Sequence, residues 1–210
     1  MNMFDASLRS YINLPLNWLA GGCIALGLSA NGLTIIGLVF GVFCAVFVAN
    51  GFFIVALICL MFNRLCDGLD GVVARRTGSS DFGGYLDIVC DFIFYAMLPF
   101  AFMVFAPENA LAAGFLMLSF VGTGSSFLAY AILEAKTPEI LKEKINTPAF
   151  QKKSFFYLGG LTEGAETIAV FVLMLLFPGC FAIFAWIFGS LCILTTGWRI
   201  HAAFSDFNKA

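Results

Sequence analysis

Long apolar stretches separated by very short polar connectors run along most of the chain. A bilayer core of roughly 30 Å needs about 20 apolar residues per helix, and backbone polar groups inside it must be satisfied within the segment. Six stretches reach that length, so the pattern predicts six transmembrane helices. They lie at about residues 31–50, 52–75, 82–105, 109–134, 156–177 and 180–203.

A further apolar stretch, residues 10–30, precedes these six. Asn13, Pro15 and Asn17 interrupt it and leave a clean core of under about 15 residues, so we expect an interfacial or re-entrant segment. A cleaved signal peptide is the alternative, because the stretch follows Arg9 and ends in small residues. The predicted organisation is one membrane domain over residues 1–210, made of a juxtamembrane segment 1–30, a six-helix bundle 31–203 and a tail 204–210.

Composition supports an all-α integral membrane protein. Of the 210 residues, 61 % are hydrophobic and only 11 % are charged, which is far from the balance of a soluble domain. The net charge of −2 gives no electrostatic reason to expect a nucleic-acid partner. The longest polar stretch, residues 134–154, is too short to bury a core of its own. The bilayer is therefore the expected environment.

The basic residues fall on one side of the predicted bundle. The opposite loops, near Asn50, Glu108 and Gly179, contain no Lys or Arg. By the positive-inside rule we expect both termini in the cytoplasm, with the bacterial inner membrane as the location. The basic residues on the cytoplasmic side are Arg9, Arg75, Arg76, Lys136, Lys142, Lys144, Lys152, Lys153, Arg199 and Lys209.

The seven cysteines lie singly within apolar segments, and none forms a C-x-x-C pair. This distribution is typical of small buried hydrophobic residues rather than of disulfides or zinc ligands.

Four aspartates lie where the second and third predicted helices meet. Asp67 and Asp70 share one face of the second helix, and Asp87 and Asp91 are one turn apart on the third. Four unpaired carboxylates near hydrocarbon would be very costly, and basic neighbours such as Arg64 cannot neutralise all of them. A hard divalent cation can, and oxygen-only ligands favour Mg²⁺, Mn²⁺ or Ca²⁺ over zinc.

The alternative is that these acids cap helices and pair with Arg64, Arg75 and Arg76. Regular helical spacing on both arms of a hairpin favours the cation site, since an ionisable cluster in a membrane segment indicates function.

The same region resembles a known signature. The pattern D-x-x-D-G-x-x-A-R, seven residues, then G-x-x-x-D-x-x-x-D is similar to that of the CDP-alcohol phosphatidyltransferases. The likeness extends to the six spans and the N-terminal segment, so it covers nearly the whole chain. The fixed positions here are Asp67, Asp70, Gly71, Ala74, Arg75, Gly83, Asp87 and Asp91.

The resemblance implies a two-metal site for Mg²⁺ or Mn²⁺. Asp67, Asp70 and Asp87 would hold the ions that bind the CDP diphosphate. Asp91 would complete the second metal and act as the general base for the acceptor hydroxyl. It also implies a homodimer.

A nucleotide site is implied as well. Gly71 would lie against the nucleotide and Arg75 would contact a phosphate, with Ala74 and Ser80 in the same site. Family members carry a P-N-x-x-T-like stretch before the first span that contributes to this site.

Here that stretch reads Ala30-Asn31-Gly32-Leu33-Thr34, with Ala in the place of Pro. Asn31 and Thr34 would then contribute to the CDP site. The alternative is a simple helix start, with Asn31 or Ser29 as the N-cap.

The acceptor is marked more weakly. Glu163 and Glu166 lie one turn apart in the fifth span, where unpaired acids are costly. They indicate a cationic or hydroxyl-rich acceptor. The alternative is that they form ion pairs with Arg199 or Arg64. Other candidate lining residues are Ser125, Ser126, Arg199 and His201.

The leading hypothesis is transfer of a phosphatidyl group from CDP-diacylglycerol to a polar alcohol, with release of CMP, in phospholipid biosynthesis. Within the same family, a CDP-amino-alcohol enzyme would act on diacylglycerol instead. From another class, a small cation transporter would carry acids along the depth of the membrane. The clustering of the aspartates at one face favours the enzyme.

Overall fold

The computed structural model of the chain describes residues 15–136, 162 and 164–207. Across those residues the secondary structure is helical, with no strand, which confirms the all-α prediction for them. Short 3₁₀ turns at Pro107–Asn109 and Pro178–Cys180 each lie directly before a long helix. The α-helices are α1 (15–25), α2 (Ala30–Ala49), α3 (Phe53–Thr77), α4 (Asp81–Phe105), α5 (Ala110–Lys136), α6 (Gly164–Leu176) and α7 (Phe181–Phe207).

Within this part of the chain, four helical segments are long and apolar enough to cross a membrane. Helix α3 has 25 residues but differs from them, because Arg64, Asp67 and Asp70 lie in its middle and C-terminal part. Helix α6 has 13 residues. The count of six spans therefore stays a prediction. The four segments are Ala30–Ala49, Asp81–Phe105, Pro107–Lys136 and Pro178–Phe207.

Several predicted features lie outside the described residues, and so do the first fourteen residues of the juxtamembrane segment and the end of the tail. They are Arg9, Lys142, Lys144, Lys152, Lys153, Glu163 and Lys209.

The chain forms two compact units, residues Met1–Ala101 and Phe102–Ala210. In the first unit, α2 packs along α3, and glycines permit the close approach. A Cβ at Gly37 would lie 3.2 Å from the Cβ of Cys66, and one at Gly41 would lie 2.8 Å from the ring of Phe94. Small residues at such contacts are typical of helices that pack in membranes.

Helix α1 packs on the same unit through apolar side chains. Ala20 is fully buried in a cluster with Leu33 of α2 and with Leu69 and Val73 of α3. Trp18 on α1 is exposed, as suits a side chain at a membrane interface.

In the second unit, α5 packs along α7. A Cβ at Gly189 would lie 2.6 Å from the Phe115 ring, so the two helices meet at van der Waals contact there. On α5, Leu111, Leu118 and Val121 are exposed. Such a large exposed apolar surface is expected where lipid rather than water is the solvent.

Polar caps define the helix ends near the aspartates. Ser29 caps α2, because its hydroxyl accepts a hydrogen bond from the Gly32 N–H at 3.1 Å. Gly78 ends α3 with φ +110°, a value that favours glycine. Ser80 then caps α4 by accepting from the Gly83 N–H at 3.0 Å. A turn of only three residues therefore joins α3 to α4.

Candidate active site

The four predicted aspartates meet in the first unit. Asp67 and Asp70 come from α3, and Asp87 and Asp91 come from α4. All four line one small cavity of about 10 Å³, which Thr34 of α2 also lines. The helical spacing that suggested convergence of the carboxylates is thus matched by the tertiary structure.

Asp70 is the most enclosed of these acids, with 7 % of its surface exposed. The buried hydroxyl of Thr34 donates a hydrogen bond of 2.6 Å to Asp70 Oδ2. This contact connects α2 to α3 and fixes the orientation of the carboxylate.

Arg64 connects Asp67 to Asp91. Its Nη1 lies 3.5 Å from Asp67 Oδ2, and its Nη2 lies 2.9 Å from Asp91 Oδ1. The Tyr95 hydroxyl donates to the other oxygen of Asp91, Oδ2, at 3.2 Å. Asn63 also binds the guanidinium, since Arg64 Nε donates to Asn63 Oδ1 at 2.7 Å.

The ion pairs with Arg64 that the alternative prediction included are therefore present. Arg76 is engaged elsewhere and donates to Asn17 Oδ1 of α1 at 2.8 Å. Sequence reasoning did not select Asn63 or Tyr95. Their positions carried a signal, because Asn63 lies one turn before Asp67 and Tyr95 one turn after Asp91.

A larger cleft of about 260 Å³ adjoins the acidic cavity. Asp70 and Asp87 line both spaces, so the cleft opens directly onto two of the carboxylates. Every residue predicted for the nucleotide site lines this cleft. They are Asn31, Thr34, Gly71, Ala74, Arg75 and Ser80.

Glycines leave the cleft open to a ligand. A Cβ at Gly83 would lie 3.0 Å from Asn31 Oδ1 and 3.2 Å from Ser80 Oγ, and one at Gly71 would lie 3.3 Å from Arg75 Nη1. With Ser29 as the cap, Asn31 is not needed for helix initiation, and its side-chain amide lines the cleft instead.

The four carboxylates suit a hard divalent cation, and the lining of the cavity contains no His and one thiol, that of Cys90. Among the described residues, no group of three or more His, Cys, Asp or Glu side chains is arranged to hold a metal ion. Three of the carboxylates are instead held by side-chain donors of the chain: Asp67 and Asp91 by Arg64, and Asp70 by Thr34. A cation bound to Asp67 or Asp91 would share that carboxylate with the Arg64 guanidinium.

The acceptor candidates lie in the second unit. Ser125 and Ser126 donate to carbonyls of their own helix, Gly122 O at 3.2 Å and Thr123 O at 3.0 Å. Glu166 and His201 are exposed.

Arg199 is a buried charged residue of the second unit. Its Nη1 donates to the Thr123 carbonyl at 3.0 Å, and its guanidinium lies over the Phe127 ring at 5.6 Å. These contacts attach α7 to α5.

The sequence matches the CDP-alcohol phosphatidyltransferase family over residues 28–198, and the chain belongs to this family of membrane transferases. The inner membrane protein YnjF of Escherichia coli strain K12 is 52 % identical over 179 residues, which are 85 % of this chain and 84 % of that protein.

The fold is similar to that of the Mycobacterium tuberculosis phosphatidylinositol phosphate synthase PgsA1. The crystal structure of that enzyme with CDP-DAG bound has a TM-score of 0.65 and 19 % identity, covering 90 % of this chain and 93 % of that chain. Its apo form has a TM-score of 0.63 and 18 % identity, covering 89 % and 94 %. At such identity the likeness concerns the fold. The family is generally dependent on divalent metal ions.

Proposed function

We propose that this protein transfers a phosphatidyl group from CDP-diacylglycerol to the hydroxyl of a polar alcohol and releases CMP, as a step of phospholipid biosynthesis. The observation that carries the proposal is the shared wall between the two cavities. Asp70 and Asp87 line both the space enclosed by the four carboxylates and the 260 Å³ cleft. A nucleotide diphosphate in the cleft would therefore lie beside the acids.

Asp67, Asp70, Asp87 and Asp91 would hold two divalent ions, Mg²⁺ or Mn²⁺. Bound there, the ions would withdraw electron density from the diphosphate oxygens and offset their charge. Asp70 and Asp87 are the members of this set that face the nucleotide cleft.

The cleft would bind the CDP part of the donor. Arg75 carries a permanent positive charge and lines the cleft, which suits contact with a phosphate. Asn31, Thr34 and Ser80 offer neutral hydrogen-bonding groups. Gly71, like Ala74, leaves space for the ligand near the α3 backbone.

Asp91 would act as the general base. The acceptor oxygen would form a bond to the phosphorus that carries the diacylglycerol, and the bond from that phosphorus to the CMP oxygen would break. The hydroxyl proton would pass to the Asp91 carboxylate, and CMP would leave with the bonding electrons. Asp91 lies on the α4 face that lines the acidic cavity, which suits this role.

For the membrane arrangement we propose six transmembrane helices after an N-terminal juxtamembrane segment, in one domain, with both termini in the cytoplasm. The placement of Arg75 and Arg76 at the end of α3, beside the acidic cluster, supports a cytoplasmic site. The E. coli relative is named an inner membrane protein, which supports that location. A homodimer is part of the same proposal.

The test is purified protein in lipid vesicles with Mg²⁺ or Mn²⁺, CDP-diacylglycerol and a panel of alcohols, followed by CMP release. We expect release that depends on one acceptor and stops with EDTA. Supplying CDP-choline or CDP-ethanolamine with diacylglycerol tests the alternative of a CDP-amino-alcohol phosphotransferase. CMP release with those substrates in place of CDP-diacylglycerol would favour that alternative. Absence of CMP with every acceptor, or release that is unaffected by EDTA, would contradict the proposal.

A further inference from the structure

Arg64 occupies a position that the family signature does not explain. It lies three residues before Asp67 on α3, and its guanidinium connects the carboxylates of two helices, Asp67 at 3.5 Å and Asp91 at 2.9 Å. A positive charge of the chain therefore lies among the four acids.

The guanidinium is held from several sides. Asn63 Oδ1 accepts from its Nε at 2.7 Å, and Asn63 Nδ2 in turn donates to the Gly37 carbonyl of α2 at 2.7 Å. The guanidinium lies over the ring of Phe94, with 5.3 Å between Arg64 Cζ and the ring centroid. Only 18 % of the Arg64 side chain is exposed, against 37 % for Asp67. The chain thus holds this arginine in a defined place.

Arg64 and a divalent cation would compete for the same two carboxylates, those of Asp67 and Asp91. A divalent cation bound to Asp91 would lie close to the Arg64 guanidinium, whose Nη2 is 2.9 Å from Asp91 Oδ1, and like charges at such short separation repel strongly. Asp91 is engaged at both oxygens, by Arg64 at Oδ1 and by Tyr95 at Oδ2. Freeing Oδ1 requires Arg64 to turn away.

We propose that Arg64 is a resident counter-ion that competes with divalent cations for Asp67 and Asp91 and is displaced when they bind. The inference rests on the proposed metal site and adds a positioning residue to it. In the cation-free protein Arg64 keeps the two helices together. On cation binding it releases Asp91, so that the base becomes available only when the ions are present.

The experiment is Mn²⁺ titration of detergent-purified protein, without nucleotide, followed by the electron paramagnetic resonance of free Mn²⁺. We expect Arg64→Gln to bind Mn²⁺ at least about tenfold more tightly than wild type, because the competing charge is gone. Arg64→Lys keeps the charge but cannot offer two nitrogens to two carboxylates, so its affinity should be intermediate.

Arg76→Gln is the matched control. It removes the same charge from the same helix, at a residue bonded to Asn17 rather than to the acids, and should bind Mn²⁺ like wild type. Thermal unfolding in EDTA gives a second measurement. Arg64→Gln should unfold at a lower temperature than wild type there, and added Mn²⁺ should raise its unfolding temperature by more than it raises that of wild type.

The outcomes separate this inference from the proposed function. Wild type that binds Mn²⁺ while Arg64→Gln binds it equally or more weakly overturns the role of Arg64 and leaves the metal site in place. Absence of Mn²⁺ binding in both wild type and Arg64→Gln overturns both.

If Arg64→Gln does not fold, ¹⁵N NMR of the arginine Nε–H groups in wild type decides. The Arg64 signal, assigned by its loss in Arg64→Lys, should move when Mg²⁺ is added. A signal that stays in place overturns the inference.

Discussion

The two units of the chain bury polar groups in different ways. In the second unit, Ser119 donates to the Leu116 carbonyl of its own helix at 2.7 Å, and Thr162 donates to the Thr195 hydroxyl at 3.0 Å. In the first unit, the enclosed polar groups include carboxylates whose partners lie on other helices or on Arg64.

The difference follows from what each side chain offers. A hydroxyl both donates and accepts, so in a membrane helix it can use a carbonyl of the preceding turn at little cost. An ionised carboxylate only accepts, and the N–H groups of a helix interior are already bonded. An acid in a spanning helix therefore needs a side-chain donor or a cation. A cluster of acids in such helices therefore marks a binding site more strongly than buried hydroxyls do.

The largest expected effect on CMP release comes from replacing one aspartate by asparagine in each unit and comparing the two variants. Asp87→Asn should lower CMP release at least about 1000-fold, because an amide does not supply the negative charge that the proposed cations require. Asp206→Asn in the second unit, where Asp206 accepts from the Tyr130 hydroxyl at 3.0 Å, should change release by less than about twofold. If CMP release falls equally in both variants, the acids of the first unit are no more important for the reaction than Asp206 of the second.

A smaller effect is expected from exchanging hydroxyls. Thr34→Val removes the 2.6 Å bond to Asp70 and should lower kcat/KM about tenfold, the size of one charge-assisted hydrogen bond. Thr195→Val removes the bond from Thr162 and should lower the free energy of unfolding by about 1 kcal/mol without changing kcat/KM. CMP release and thermal unfolding in detergent measure the two quantities. An unchanged kcat/KM in Thr34→Val would mean that the hydrogen bond from α2 to Asp70 does not contribute to the reaction.

The smallest effect is expected from adding one methyl group. Gly83→Ala would place a Cβ 3.0 Å from Asn31 Oδ1, and we expect the KM for CDP-diacylglycerol to rise about threefold with kcat nearly unchanged. Gly114→Ala in the second unit meets nothing within 4 Å and should leave KM unchanged while adding about 0.5–1 kcal/mol of stability. A KM equal to that of wild type in Gly83→Ala would mean that the donor does not approach this edge of the cleft.

Much of the candidate site could be predicted because it is local in sequence. Asp67 and Asp70, like Asp87 and Asp91, are one turn apart, and helical geometry puts each pair on one face. The short turn at Gly78 and Ser80 then brings the pairs together. All of the residues that the family resemblance implied for the nucleotide site line one cleft.

The contacts between helices could not be predicted in the same way. The bond from Thr34 to Asp70 joins positions 36 residues apart, and the bond from Arg64 to Asp91 joins positions 27 apart. Asn31 and Ser29 were both candidates for the cap of α2, and the extended backbone of Ser29 with its bond from the Gly32 N–H selects Ser29. Sequence patterns specify which face of a helix a residue occupies but not the rotation of that face toward a neighbour.

By itself, the sequence determined the helical class and the acidic hairpin, because bilayer thickness and helical periodicity translate directly into residue spacing. The family followed from the resemblance of the aspartate motif to a known signature. Tertiary structure alone decided that Thr34 serves Asp70 and that Arg64 lies between Asp67 and Asp91. These pairings depend on the close approach of α2, α3 and α4 at Gly37 and Gly41, a matter of packing shape that no local spacing encodes.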